Sequence, residues 1–283
     1  MKTVKQGSVF GIDHTGSRGA QALDAKGSAI HIYSEWVSKM NTRKLIQAAV
    51  ALTLALPLSL AADDNPQISD FWHTLQGGQL YDNWAKVLFT KAPEQTHPAY
   101  PEAGKQKGAG TWRCKECHGW DYRGVDGAYG SGSHYSGVMG IRNHVGGSVA
   151  KIEKIIRDDT HGYTGDMIPD EAVRSLALFV SRGQVDMPQY IDYATKTARG
   201  DATRGARFYQ AICSVCHGFD GKTINFKTAD NPEFIGTVAQ GNPQETMHKA
   251  RNGQPGVPMV ALGVLDIQDI VDIIAYAQTL PAK

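Results

Sequence analysis

The sequence predicts an all-α chain made of two helical units in tandem. Three observations carry that reading. The pattern Cys-x-x-Cys-His occurs twice, at Cys114–His118 and Cys213–His217. Apolar residues recur at helical spacing around both copies. No stretch of useful length alternates with the period of two that a half-buried strand needs. At 283 residues the chain has room for about two domains of ordinary size.

The two motifs come first because they account for all four cysteines. Thiols three residues apart on one helical turn share a face, where they reach the two vinyl groups of one porphyrin. The histidine beside the second thiol is then placed to ligate the iron. The spacing is the attachment signature of haem c. A zinc site is the first alternative, but paired Cys-x-x-Cys units usually lie within roughly 15–20 residues, and here 95 residues separate Cys117 from Cys213. A dithiol redox motif needs no histidine after it. Local disulfides would close loops too small to staple a fold. Two haem c groups, attached through Cys114, Cys117, Cys213 and Cys216, are therefore the expected cofactors.

The N-terminus reads as a targeting region. Met40 to Lys44 is a short basic start, Leu45 to Leu60 is apolar, and Ser59-Leu60-Ala61 offers small residues for cleavage after Ala61. The apolar run contains Gln47, Thr53 and Pro57 and is shorter than the ~20 residues of a spanning helix. We expect a cleaved signal peptide over 40–61, with membrane association only if it stays uncleaved. Residues 1–39 show no sustained period and are expected to be a disordered leader upstream of a true start at Met40. Seven Lys/Arg but only three Asp/Glu fall within residues 1–61, out of 29 and 28 in the chain. The remainder carries a charge of about −3 with neutral histidines. It has no basic cluster, so no nucleic-acid partner is expected.

From Asp70 onward one unit is written twice, loosely. Gly77-Gly78-Gln79-Leu80-Tyr81 matches Gly205-Ala206-Arg207-Phe208-Tyr209, each heading a helix toward a motif. Ser148 is a candidate cap for a helix with Val149, Ile152, Ile155 and Ile156 on one face, and Asn242-Pro243 starts its counterpart. Pro169-Asp170-Glu171 opens a terminal helix with Val173, Leu176, Ala177 and Val180 inward, closed at Gly183. In the second copy Ile267, Ile270, Val271 and Ile274 make the matching stripe, stopped by Pro281. The expected layout is a first domain over 62–184 with inserts at 82–113 and 119–140, a linker over 185–199, and a second domain over 200–283. Within the inserts Trp112, Arg113, Tyr122 and Arg123 are candidates to bind haem propionates.

The sixth iron position decides whether such a protein carries electrons or binds ligands. Met259 and Met167 both emerge from glycine-containing loops just before a terminal helix. They lie 46 residues after Cys213 and 53 after Cys114. In the first copy His161 competes with Met167, while Met139, His134 and His144 are further candidates. Met139-Gly140 aligns with Ile235-Gly236, which points to packing instead.

Over residues 73–281, on both motifs, both methionines and the helix order, the chain resembles bacterial dihaem cytochromes c made of two tandem class I cytochrome c domains. That resemblance implies three main helices per domain around a covalent haem. It also implies His118/Met167 and His217/Met259 as axial pairs, and haem attachment in the periplasm. The function it implies is single-electron transfer between a protein donor and a protein acceptor, with no catalytic residues. The competing expectation is a haem enzyme or an oxidoreductase subunit with a catalytic first haem, thiosulfate-dehydrogenase-like or peroxidase-like. The first of these typically uses a thiolate ligand, and no cysteine is spare.

Overall fold

In the computed structural model, the structure describes residues 66–283; the expected leader (1–39) and signal segment (40–61) lie outside the described residues. Helix α1 (Pro66–Val87) enters first and leaves helical geometry briefly at Asn83, whose side chain accepts from the Lys86 N–H at 3.1 Å and restarts the last turn. A short 3-10 turn, Gly108–Trp112, leads into α2 (Cys114–His118). Then come α3 (Val149–Ile156) and α4 (Asp170–Leu178), the latter ending in a π turn over Phe179–Gly183.

The second half repeats the order. Helix α5 (Ala202–Phe208) runs through a π turn (Tyr209–Cys213) into α6 (Ser214–His217). Helices α7 (Ile235–Gly241), α8 (Pro243–Asn252) and α9 (Ile267–Ala277) follow. Asp201 caps α5 by accepting from the N–H groups of Thr203 and Arg204, and Asn242 caps α8 through the Glu245 N–H, with Pro243 in the first turn. Ser148 stands at the start of α3 but its side chain makes no capping bond.

Each half is organised by one crossing of its first and last helices, α1 on α4 and α5 on α9. Gly77 and Gly205, aligned from the sequence, sit at those crossings. A Cβ on Gly77 would fall 2.0 Å from the Ser175 carbonyl oxygen, and one on Gly205 would fall 1.8 Å from that of Asp272. The helices approach this closely only because no side chain intervenes. The inward stripes behave as their spacing predicts: Val173, Leu176, Ala177 and Val180 are buried, as are Ile270, Val271 and Ile274. Ile155 departs from its expected face and is exposed, since α3 covers the core with Ile152 alone fully inward.

Two corrections concern the segment between the halves. The sequence shows no strand pattern, yet Ile191–Asp192 and Thr197–Ala198 pair as a minimal antiparallel hairpin with Ile191 opposite Ala198. Two-residue strands are too short to leave a periodic signal. Nor is 185–199 a bare connector: Val185, Met187, Ile191 and Ala198 are all buried and belong to one core continuous through both halves.

Helix α8 of the second half lies against α1 of the first. His248 Nε2–H donates to the Gly78 carbonyl at 2.9 Å, so its Nδ1 accepts from the Tyr122 hydroxyl at 2.8 Å. Gln79 Nε2 donates to the Asn252 carbonyl at 2.8 Å, and Lys249 Nζ pairs with the buried Asp82 at 2.5 Å. Arg113 reaches the same carboxylate from the other side. Burial pushes the His248 imidazole down to about 4, against a pull from the Asp82 charge.

Candidate haem sites

Both motifs are held in the same local geometry. After α2, Gly119 turns the chain at φ 79°, ψ 162°, and after α6, Gly218 does so at φ 79°, ψ 161°. Only glycine adopts that region freely, which explains a glycine directly after each histidine. A tyrosine then pins each turn: Tyr81 Oη donates to the Gly119 carbonyl at 2.6 Å and Tyr209 Oη to that of Gly218 at 3.1 Å. The histidine carbonyls are also matched, accepting from Gly124 N–H at 2.9 Å and Thr223 N–H at 3.0 Å. Tyr81 and Tyr209 are the fourth residues after the crossing glycines, so each crossing fixes its cradle directly.

Three of the four thiols are not poised as nucleophiles. Burial raises Cys114 to about 12 and Cys117 and Cys213 to about 11. A redox dithiol works through a lowered thiol pKa, so this environment argues against that alternative. Among the described residues, no three His, Cys, Asp or Glu side chains converge as a structural zinc site requires. The imidazoles, by contrast, suit a metal. Burial lowers His118 to about 4 and lowers His217 as well, leaving both neutral. His118 Nδ1 bonds the Met139 carbonyl at 2.8 Å, which directs the Nε2 lone pair outward. His217 Nδ1 is buried with no partner among the described residues, and its ring centre is 5.9 Å from that of Phe226.

The distal candidates differ between halves. Met259 is partly buried in a loop opened by Gly253 and Gly256, with its N–H bonded to the Val257 carbonyl at 2.8 Å. Val257, Val260 and Val264 around it are exposed apolar side chains. In the first half Met167 is partly buried and packs against the core, its N–H held by the Thr164 carbonyl at 3.2 Å. Arg157 stakes that loop by donating to the carbonyls of Tyr163 (3.0 Å), Thr164 (2.8 Å) and Ile168 (2.5 Å). His161 lies in the same loop with its ring centre 6.3 Å from that of His118 and the planes 29° apart.

Other sequence candidates are engaged elsewhere. Trp112 Nε1 donates to the Gln95 carbonyl, Arg113 bonds Asp82, Tyr122 bonds His248 and Arg123 bonds Asp186 at 2.6 Å, while Arg123 Nε is buried with no partner among the described residues. His134 pairs with Glu116 at 3.1 Å and stacks on Tyr129. Met139 contributes its backbone carbonyl, while its side chain is exposed. Sequence reasoning missed His97, in the first insert, whose Nδ1 accepts from Ala99 N–H and whose Nε2–H therefore donates to the His161 carbonyl at 2.8 Å. It missed Arg157 too. Neither has a motif, because each acts on backbone outside any local pattern of its own.

Residues 200–276, which include the second motif, its tyrosine, Met259 and most of α9, match the family model described as cytochrome C oxidase, cbb3-type, subunit III. This stretch is a c-type cytochrome domain. The match implies a covalently bound haem c and supports haem-based electron transfer in general. No curated protein and no solved structure matches the chain. The mostly helical architecture agrees with a cytochrome c fold. Among the described residues, no helix is long and apolar enough to cross a membrane.

The cradles suit a porphyrin on observations independent of that match. Each offers a thiol pair beside a neutral imidazole, and apolar side chains stand exposed close by: Phe226 by His217, and Val257 and Val260 flanking Met259. A bound macrocycle would cover such surface.

Proposed function

We propose that the chain is a periplasmic dihaem cytochrome c that passes single electrons between two redox proteins. The observation that carries this reading is the duplicated cradle: two Cys-x-x-Cys-His turns with the same glycine conformation and the same tyrosine clamp. In this reading Cys114 and Cys117 hold one haem, Cys213 and Cys216 the other, and His118 and His217 are the proximal ligands. Met259 supplies the distal ligand of the second haem. The loop carrying Met167 supplies that of the first. Haem held there would supply a one-electron couple, ferric to ferrous.

The residues around it perform the rest. The crossing helices exclude water, and the Met139 carbonyl holds the proximal imidazole and raises its basicity. Histidine–methionine ligation favours the ferrous state and a raised potential. Two centres on one rigid chain make the internal step independent of diffusional encounter. The donor and acceptor are expected to dock by small, weak contacts, and the mild negative charge favours no single partner.

The test is haem stoichiometry by the pyridine haemochrome, with peptide mass spectrometry on the exported protein. Two covalent haems per chain are expected, falling to one in the Cys114→Ser/Cys117→Ser variant. One haem in the unmodified protein would end the dihaem reading. Stopped-flow carbon monoxide binding to the reduced protein then separates carrier from enzyme. Slow binding at both irons supports the carrier; immediate binding at one would favour a catalytic haem.

A further inference from the structure

Resting on the dihaem reading, we infer that the first haem is ligated by two histidines, His118 and His161, with Met167 serving as packing. The placement of His161 carries this. A first-row metal–imidazole bond is about 2 Å, and the ring centre lies roughly 1 Å further, so imidazoles on opposite sides of one iron sit roughly 6 Å apart. The two ring centres are 6.3 Å apart with near-parallel planes. Parallel rings in direct face contact would approach to ~4 Å. The gap is too wide for stacking and wide enough for a metal.

The protonation pattern agrees. His161 Nδ1 bonds Asp158 Oδ1 at 2.9 Å, as His118 Nδ1 bonds the Met139 carbonyl at 2.8 Å. Each ring therefore keeps its proton on Nδ1 and offers Nε2, and neither Nε2 has a hydrogen-bond partner among the described residues. An oxygen acceptor behind each ligating imidazole is the usual outer support of a metal-bound histidine.

His161 is also built in rather than draped on the surface. Its N–H donates to Asp158 Oδ1 at 2.9 Å, and its carbonyl accepts from His97 Nε2 at 2.8 Å. His97 is itself buried, bonded through its N–H to Thr111 Oγ1 and packed edge-on to Trp112. The 82–113 insert thereby acquires a purpose, since it brings a positioning residue, His97, to the back of the distal loop. The second half has no counterpart, because its other histidine, His248, spends both ring nitrogens on Tyr122 and Gly78. The two haems then differ in kind, with bis-histidine ligation giving the first a lower potential than the histidine–methionine second.

The experiment begins with haem counting on the same sample, so that a one-haem result overturns the dihaem reading before ligation is considered. On the two-haem ferric protein, near-infrared magnetic circular dichroism and the far-red methionine-to-iron charge-transfer band identify each ligand set. One bis-imidazole and one imidazole–thioether haem are expected, with a far-red band of one haem's intensity. His161→Met should double that band and remove the bis-imidazole signal, which a structural role alone would not do. Met167→Leu and His144→Ala should leave both signals in place. Two thioether signals in the unmodified protein, loss of one thioether signal in Met167→Leu, or loss of the bis-imidazole signal in His144→Ala would each overturn the inference. If His161→Met does not accumulate, His97→Phe gives a second reading: the bis-imidazole signal should weaken or split while the thioether signal stays, and an unchanged bis-imidazole signal would remove His97 from the distal side.

Discussion

The two halves share one cradle and differ in what surrounds it. In the second half the cradle is nearly bare: an unpartnered His217 Nδ1, a neighbouring Phe226 and an exposed valine loop around Met259. In the first, two inserts bring Trp112, Trp120, Tyr122, Tyr129 and His97 into buried positions and bind both the proximal and the distal sides by hydrogen bonds. The difference teaches that the motif and the crossing are enough to build a site, whereas the added residues tune one. It also explains why the halves do not stand apart. The embellished half supplies Asp82, Tyr122 and Gly78 as partners to Lys249 and His248 on the lean half's α8.

The strongest way to break the comparison is to fill a crossing. Gly205→Val puts a side chain on the Asp272 carbonyl, and should cost more than about 4 kcal/mol. Because the core is continuous, we expect loss of both halves together, read as a single thermal transition and a joint fall in haem content; survival of the first half alone would mean the halves fold separately. Next comes the shared charge. Asp82→Asn leaves Lys249 and Arg113 facing a neutral, buried partner and should cost about 3–5 kcal/mol by chemical denaturation.

His248 gives a pH dependence. Its folded value of about 4 lies below the ordinary 6.5, so the unfolded chain binds the extra proton between those values. Stability is fully present above pH 6.5, declines as pH falls toward 4, and then levels, by on the order of 3 kcal/mol from this group. His248→Gln should flatten that slope in urea titrations across the window. The smallest effect sharpens the likeness of the cradles. Tyr81→Phe removes the shorter clamp, whose acceptor Gly119 is itself buried, and should cost about 1.5 kcal/mol, against about 0.5 for Tyr209→Phe. Equal losses would show that the clamps are energetically equivalent despite the greater burial of Gly119 than of Gly218.

Much of this was legible in sequence because it is local. Covalent attachment needs two thiols and a histidine on one turn, so Cys114–His118 and Cys213–His217 announce themselves, as do the glycine after each and the aligned Gly77 and Gly205. Helical stripes and the Asn242 cap are likewise set by near neighbours in the chain. Tertiary structure decided what depends on distant partners. Trp112, Arg113, Tyr122 and Arg123, read from sequence as candidates for haem propionates, bond Gln95, Asp82, His248 and Asp186, partners that no local pattern announces. The 185–199 segment has Pro188 and few runs that look buried, yet Met187 and Ile191 join the core. The choice between Met167 and His161 also lay beyond the sequence, since six residues of loop permit either to face the iron. We favour His161 on two observations, a hydrogen bond from His97, 64 residues away, and the distance between the His161 and His118 rings. A motif records chemistry within one turn, while orientation is fixed by whatever the fold brings behind it.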